Sequence, residues 1–470
     1  MRKYLTRIAI AVAVLCVVPV AAWPAAPQAA QGAPKGPSYT MPEYNQFTSC
    51  QQEKDPTSKV KCLDGFVSQF PNSTLLQYVY VLYYQTYYQL KDYAKAITYA
   101  DKLVALGDKA ELGSRVSAIL FHVQVFPFAY NSKSPDFQDQ LTKQRDAALQ
   151  AVKMLQEYKS APNSKLSEAD FTKYTALCYT AAGNADLQLK DNADAVQAFK
   201  SALAIQPNDA VTEYHLGLAY LALTPPQSLD GFWALARAVD LKVPDADKVQ
   251  DYLRRAMLAY EQPGCVSQID PQLTSLLQQA ANAPARPATW TIPSADDLNK
   301  IRQSSDTSNI IAVIKSLSGG GDAAQQTWLA FCGAEYPEVV GKIIDENKSD
   351  DYVDFMVFTG ATTEEMQAAT TANMDVKVWT AAPPAGAAPT AGAAPANGAA
   401  PQANGAPAQQ QITPQPEVLR LQKDDGIRFS GTLVSYDPSP FLLHWDDVKV
   451  DPSIIPQRGA PSKHPAHREK

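Results

Sequence analysis

A 34-residue period governs the middle of this chain. Residues 176–209 read ALCYTAAGNADLQLKDNADAVQAFKSALAIQPND, and the next unit opens at Ala210 with no spacer. Ala195, Phe199, Ala202 and Pro207 follow the spacing A-x3-F-x2-A with a closing proline. Gly217 and Tyr220 then supply a small residue and an aromatic to the first helix of the following unit. The spacing has a physical reason. Small side chains let two antiparallel helices cross closely, an aromatic fills the space beside them, and proline ends the second helix. Such a pair cannot bury its apolar face alone, so its neighbours must also be helix pairs. The pattern predicts a stacked scaffold with a groove, and no chemistry.

The 470 residues leave room for two to four domains. The chain begins MRKYLTRIAIAVAVLCVVPVAAW. Arg2, Lys3 and Arg7 make a basic start, Ile8 to Val18 an apolar run, and Val20-Ala21-Ala22 a small-residue cleavage site. Residues 1–22 thus read as a signal peptide for an exported, periplasmic or secreted protein, with an uncleaved anchor as the alternative. Cleavage removes three basic residues and leaves 38 Lys+Arg against 48 Asp+Glu, a net charge of about −10. An acidic chain is poorly suited to phosphate backbones, so no nucleic-acid partner is expected. The five remaining cysteines are an odd number, leaving at least one unpaired or intermolecular in an oxidising compartment. Cys50 and Cys62 straddle the helix break at Asp55-Pro56 and could staple the first helix pair, while Cys178 reads as a small buried hydrophobe.

Residues 23–42, rich in Ala, Pro and Gly, read as a disordered lead. From 43 to 283 the pattern is helix pairs, including Leu75–Leu90 with Asp92–Leu106, and GFWALARAVDL after the turn at Thr224-Pro225-Pro226. On these residues the chain resembles secreted bacterial tetratricopeptide-repeat (TPR) proteins. The resemblance implies a mainly α protein, a TPR-type α-solenoid of helix hairpins that binds a protein or peptide segment.

Residues 284–336 read as a linker and short helical segment, and 337–455 as a small OB-like β-barrel domain, followed by a basic tail at 456–470. Its five expected strands are 339–345, 351–358, 375–381, 426–437 and 441–450, several with period-two alternation. A chargeless Ala/Pro/Gly tract at 382–416 falls between the third and fourth. Reading it as a disordered insertion within one domain costs little: lengthening a loop from about six to about 36 residues adds roughly 1.6 kcal/mol. About 50 residues of β-hairpin alone would be marginal, which disfavours a separate module beyond a true linker.

Catalytic signatures are missing. There is no H-E-x-x-H, G-x-S-x-G or phosphate-loop motif, no C-x-x-C pair, and no metal site or cofactor is expected. Residues 345–351 superficially suggest a calcium loop but lack the turn glycine. His215 reads as an interhelix contact, and His444 alternates with Leu443 and Trp445 with no acid partner evident around it.

The resemblance assigns the groove to the first helix of each repeat, at its second, fifth, ninth, twelfth and thirteenth positions. Carried over, these include Tyr78, Gln85 and Tyr88 in one unit, Asn184 and Gln188 in the unit at 176–209, and Tyr214 and Leu218 in the unit that follows it. A carboxylate-gripping repeat would pair a lysine at the fifth position with the asparagine, but Thr180 stands there. Eight tyrosines between Tyr78 and Tyr99 either pack between repeats or form an aromatic binding surface. The resulting expectation is a non-enzymatic exported interaction scaffold with envelope association left open. The alternative is an envelope-associated enzyme or glycan-binding factor with its site in the β-domain.

Overall fold

The computed structural model describes residues 39–305, 309–381 and 413–457. The expected signal peptide, most of the lead and the basic tail, and nearly all of the Ala/Pro/Gly tract lie outside these residues. The chain divides into two compact units, one containing the segments up to 251 and 276–287, the other 252–275 and 288 onward.

The first unit is built of helix pairs: α1 (Met41–Gln52) with α2 (Pro56–Gln69), α3 (Leu76–Gln89) with α4 (Tyr93–Val104), α5 (Leu112–Ala129) with α6 (Phe137–Ser160), α7 (Glu168–Leu189) with α8 (Asn192–Ile205), and α9 (Ala210–Leu221) with α10 (Ser228–Asp240). Helix α1 starts inside the expected lead, because Thr40 and Glu43 form a reciprocal capping box that satisfies the first free backbone donors. Cys50 and Cys62 are disulfide-bonded across the turn between α1 and α2, with Cα atoms 5.4 Å apart. Cys178 is free and buried, and burial pushes its thiol up to about 12. Helix α5 is long and apolar enough by length and composition to cross a membrane. Here its residues Val116, Ile119, Leu120, Val123 and Phe126 are buried among the helix pairs.

The periodic residues explain the packing. Ala195, Phe199 and Ala202 are buried, and a Cβ on Gly183 would fall 2.7 Å from the Phe199 ring. Gly217 and Gly231 face each other across α9 and α10. A Cβ on Gly217 would lie 2.7 Å from Leu235 Cγ and 3.0 Å from the Gly231 carbonyl, so the two backbones pass in near contact. Tyr220 is half-buried in the adjoining apolar cluster, and Pro207 closes the repeat in an exposed turn.

The second unit joins helices and a β-barrel in one core. Helices α11 (Ala246–Glu261) and α12 (Ile269–Asn282) straddle the division between the units. Segment 252–275 belongs to the second unit, and the contacts that hold it there are specific. Cys265 is disulfide-bonded to Cys332, and the Gly264 N–H donates to the Leu329 carbonyl at 2.8 Å. Helices α13 (Ala295–Gln303), α14 (Ile310–Ser318) and α15 (Gly321–Phe331) follow. Ile310, Val313, Leu317 and Trp328 share one core with the barrel residues Ile343, Phe355, Val376, Phe429 and Leu443. Helices α14 and α15 thus pack into the barrel core.

Five strands close the barrel in the order β1-β2-β3-β5-β4: β1 (Glu335–Lys348), β2 (Tyr352–Phe358), β3 (Met374–Trp379), β4 (Gly426–Pro438) and β5 (Phe441–Val450). All pairings are antiparallel except β3 with β5, a parallel seam of three residue pairs, Met374–Leu443, Asp375–His444 and Val376–Trp445. Alternation is strict in β2 and β3, where Val353, Phe355, Val357, Met374, Val376 and Val378 point inward. Strands β3 and β4 belong to one barrel although the Ala/Pro/Gly tract separates them in sequence. The chain leaves and re-enters at one place: the Gln415 N–H donates to the Trp379 carbonyl at 2.8 Å, and its side-chain amide pairs with the Val450 backbone in both directions.

Candidate functional site

Exposed aromatics gather on the helical surface where α3, α4 and α5 meet, and Tyr44 of α1 is a further exposed aromatic, stacked on Tyr39 at 5.6 Å. Tyr88, near the end of α3, is 42% exposed, alone among the eight tyrosines between Tyr78 and Tyr99. Its ring meets Phe121 of α5 edge-on at 5.7 Å and Tyr93 of α4 at 5.5 Å. Tyr93 in turn lies 5.8 Å from Phe128, which is 60% exposed, and Leu90 is exposed nearby in sequence. Tyr93 and Phe121 rest on the buried cluster of Ile97, Val125, Phe126, Leu141 and Ala185, which fixes the shelf from beneath.

The remaining tyrosines are spent on packing. Tyr83 and Tyr84 are fully buried, and Tyr83 stacks on Tyr99 at 4.0 Å while its hydroxyl donates to Asp64 at 2.6 Å. Burial pushes both phenols far above the ordinary tyrosine range. Tyr78 is half-buried against Phe47 at 6.2 Å and donates to Glu111 at 3.4 Å. Gln85 is half-buried on the same helix.

In α7, Asn184 is half-buried and its carbonyl accepts from Gln188 Nε2 at 3.2 Å. Gln188 is exposed and lines an open cleft of about 600 Å³ with Ser132, Asp136, Phe137, Gln138 and Asp139. Phe137 packs on the same buried cluster as Tyr93 and Phe121. Thr180 shares a hydroxyl hydrogen bond with Thr212 at 3.1 Å, and Thr212 also donates to Asp209 at 2.8 Å. That threonine pair fills the position where a clamp lysine would stand.

Tyr214, assigned to the groove by its repeat position, is only 5% exposed, and its ring lies 5.3 Å from that of His215. Leu218 is half-buried. His215 sits between Phe199 and Tyr214, at 5.8 and 5.3 Å, and burial pushes its imidazole down to about 4, so it packs as a neutral ring.

Several polar clusters escaped the linear reading. Arg237 and Glu213, each with about 5% of its side chain exposed, form a 2.8 Å ion pair. The Arg237 guanidinium also donates to the carbonyls of Pro207, Ala280 and Ala283. Asp186 is buried 3.8 Å from Arg145, and burial pushes its carboxyl up to about 6. Glu261 is fully buried, accepts from Gln272 at 2.8 Å, and is pushed up to about 7 by burial. His444, expected to stand without acid partners, is flanked by two: Asp375 at 3.2 Å and Asp437 at 3.0 Å. These carboxylates come from outside the immediate run around the histidine, Asp375 from 69 residues away, which is why a local reading misses them.

On the barrel, Lys377 lies over the Tyr352 ring at 4.0 Å and near Trp379 at 5.5 Å, while those rings meet edge-on at 5.5 Å. No group of three or more potential metal ligands occurs among the described residues.

No protein-family model matches the chain, and no curated protein matches it. Among solved structures the chain is similar to a thermophilic TPR protein of Thermus thermophilus, with 17% identity over 46% of this chain and 99% of the other, at a TM-score of 0.23. It is also similar to the C-terminal part of a TPR repeat-containing protein of Cytophaga hutchinsonii, with 14% identity over 58% and 96%, at a TM-score of 0.22. The mainly α fold with a terminal barrel rests on the chain's own helix pairs and strand order.

Proposed function

We propose that this protein is a non-enzymatic, exported interaction scaffold whose helical unit holds an apolar or aromatic segment of a partner protein. The observation that carries this reading is the aromatic shelf of Tyr88, Tyr93, Phe121 and Phe128. Its members come from three helices of two adjoining helix pairs, and their undersides are locked by packing. Rigid aromatics supply contact area at low entropic cost, which is what a binding surface needs. Export draws support from the basic-apolar start of the sequence and from two disulfides, which persist in oxidising compartments. Envelope association and the absence of a nucleic-acid partner belong to the same proposal and rest on the acidic charge and the export signal.

A second reading places a glycan or other ligand on the barrel face of Tyr352, Trp379 and Asp354. We favour the shelf because Lys377 already covers both barrel rings. The test is selection of a displayed random peptide library on the full chain. Enriched peptides should carry aromatic or aliphatic anchors and lose at least roughly tenfold in affinity for Tyr88→Ala with Phe128→Ala, about one good anchor's worth. Circular dichroism should show that variant folded. Peptides that bind the variant as well as the parent would remove the shelf from consideration.

A further inference from the structure

His444 occupies the centre of the barrel's parallel seam, paired in register with Asp375 of β3, and its own strand pairs on the other side with β4. Its Nδ1 lies 3.2 Å from Asp375 Oδ2 and its Nε2 3.0 Å from Asp437 Oδ2. One ring therefore bridges carboxylates on two strands that flank β5. A neutral imidazole has one N–H, so it can donate to only one of them and presents a lone pair to the other. An imidazolium donates to both. Imidazole ordinarily changes charge between pH 5 and 8.

Charged groups lie around the ring on each neighbouring strand. From β3 the ring faces Asp375, with Lys377 two residues along; from β2 comes Asp354, in register with Lys377. From β4 comes Asp437, beside the uncharged Ser435, and on β5 Asp446 lies two residues on. Carboxylates outnumber the single ammonium, and that ammonium is drawn over the Tyr352 ring.

The two carboxylates differ in solvation. The Asp375 side chain is 31% exposed and that of Asp437 62%, so water can replace the histidine at Asp437 at lower cost than at Asp375. We propose that His444 is a pH latch. Protonated, it ties β3 and β4 together through β5. On losing its proton it keeps Asp375 and releases Asp437, loosening the tip of the β4–β5 hairpin at 438–441.

Hydrogen exchange on the full chain at about pH 5.5 and about pH 8, corrected for intrinsic rates, tests this. The peptide spanning 434–445 should open roughly 2- to 5-fold more readily at the higher pH, the range an exposed ion pair supports. Peptides from α1 and α2 serve as internal controls. Asp437→Asn, at an exposed position, should remove the pH dependence while leaving the barrel folded, and His444→Gln should do the same. Equal opening at both pH values in the parent would overturn the latch, as would an undiminished pH dependence in Asp437→Asn.

Discussion

The helical unit and the barrel draw their side-chain and strand partners from different chain distances. In the helical unit, Arg237 reaches Glu213 24 residues away, in the partner helix of the same hairpin. In the barrel, His444 reaches Asp375 across 69 residues, and β1 pairs with β4 between Glu335 and Thr432. Repeats make contacts with sequence neighbours, so each pair's stability is set locally. A closed barrel has no such neighbour rule, and every strand depends on partners that arrive late in the chain. Local perturbations should therefore be felt mainly within one helix pair in the first unit, and over the whole barrel in the second.

The disulfides probe that difference most strongly. Cys265–Cys332 closes a separation of 67 residues and Cys50–Cys62 one of 12. The chain-entropy rule gives about 4.4 kcal/mol for the first and about 2.8 kcal/mol for the second. Replacing both members of the longer bridge by serine should lower protection throughout the barrel core by roughly the larger amount in native-state hydrogen exchange. The shorter bridge should affect α1 and α2 and leave α8 to α10 unchanged. Equal, global losses from both would contradict the local picture of the helical unit.

Next in size is the buried ion pair. Arg237→Ala leaves Glu213 buried without its cation and should cost about 3–5 kcal/mol, read from denaturant unfolding of the helical unit. Replacing both residues together by apolar ones of similar volume should recover most of that loss, because the charges need each other more than the fold needs charge.

The same contrast decides what a linear reading reaches. The 34-residue period identifies Ala195, Phe199, Gly217 and Gly231 because a helix crossing imposes small and aromatic residues at fixed offsets. Strand positions in the barrel follow from alternation, as in Val353, Phe355 and Val357. The site is less accessible. Tyr88 follows from its place in the repeat, whereas its shelf partners Phe121 and Phe128 sit in a degenerate helix pair that obscures their register. Tyr214 has the same nominal groove position as Val81 in the unit of Tyr78, yet it is buried where Val81 is half-buried, a difference in packing that repeat position does not encode. The Cys265–Cys332 bridge and the carboxylates around His444 are set by three-dimensional closure, which no local spacing encodes.

Glu261 provides a pH-dependent test of the second unit. Its folded carboxyl is pushed up to about 7 by burial, against an ordinary value near 4.5. The folded state thus binds the proton more tightly, so this stabilisation is complete below about pH 4.5 and is lost as pH rises to about 7. The loss is on the order of 3 kcal/mol. Glu261→Gln, which keeps the shape and can still meet Gln272, should flatten that slope in thermal melts between those values. A slope unchanged by the substitution would mean the carboxyl is not desolvated as its burial implies.

The smallest effect separates close packing from open turns. A Cβ on Gly217 would come within 2.7 Å of the buried Leu235 side chain and 3.0 Å of the Gly231 carbonyl, and the backbone carbonyl cannot yield cheaply. Overpacking of this kind costs about 1–3 kcal/mol, while alanine's better helix propensity returns about 1 kcal/mol. Gly217→Ala should therefore destabilise the α9–α10 pair by about 1 kcal/mol, and Gly231→Ala, whose Cβ would meet Leu221 at 2.8 Å, should do likewise. Gly426, at the start of β4, has open space around its Cβ position. Gly426→Ala should stay within about 0.5 kcal/mol of the parent, since no neighbour must move and the unfolded chain loses some freedom. If Gly217→Ala proved neutral in hydrogen exchange of α9 and α10, the helices would have to separate without cost. The close crossing that the 34-residue period imposes would then contribute little to the stack.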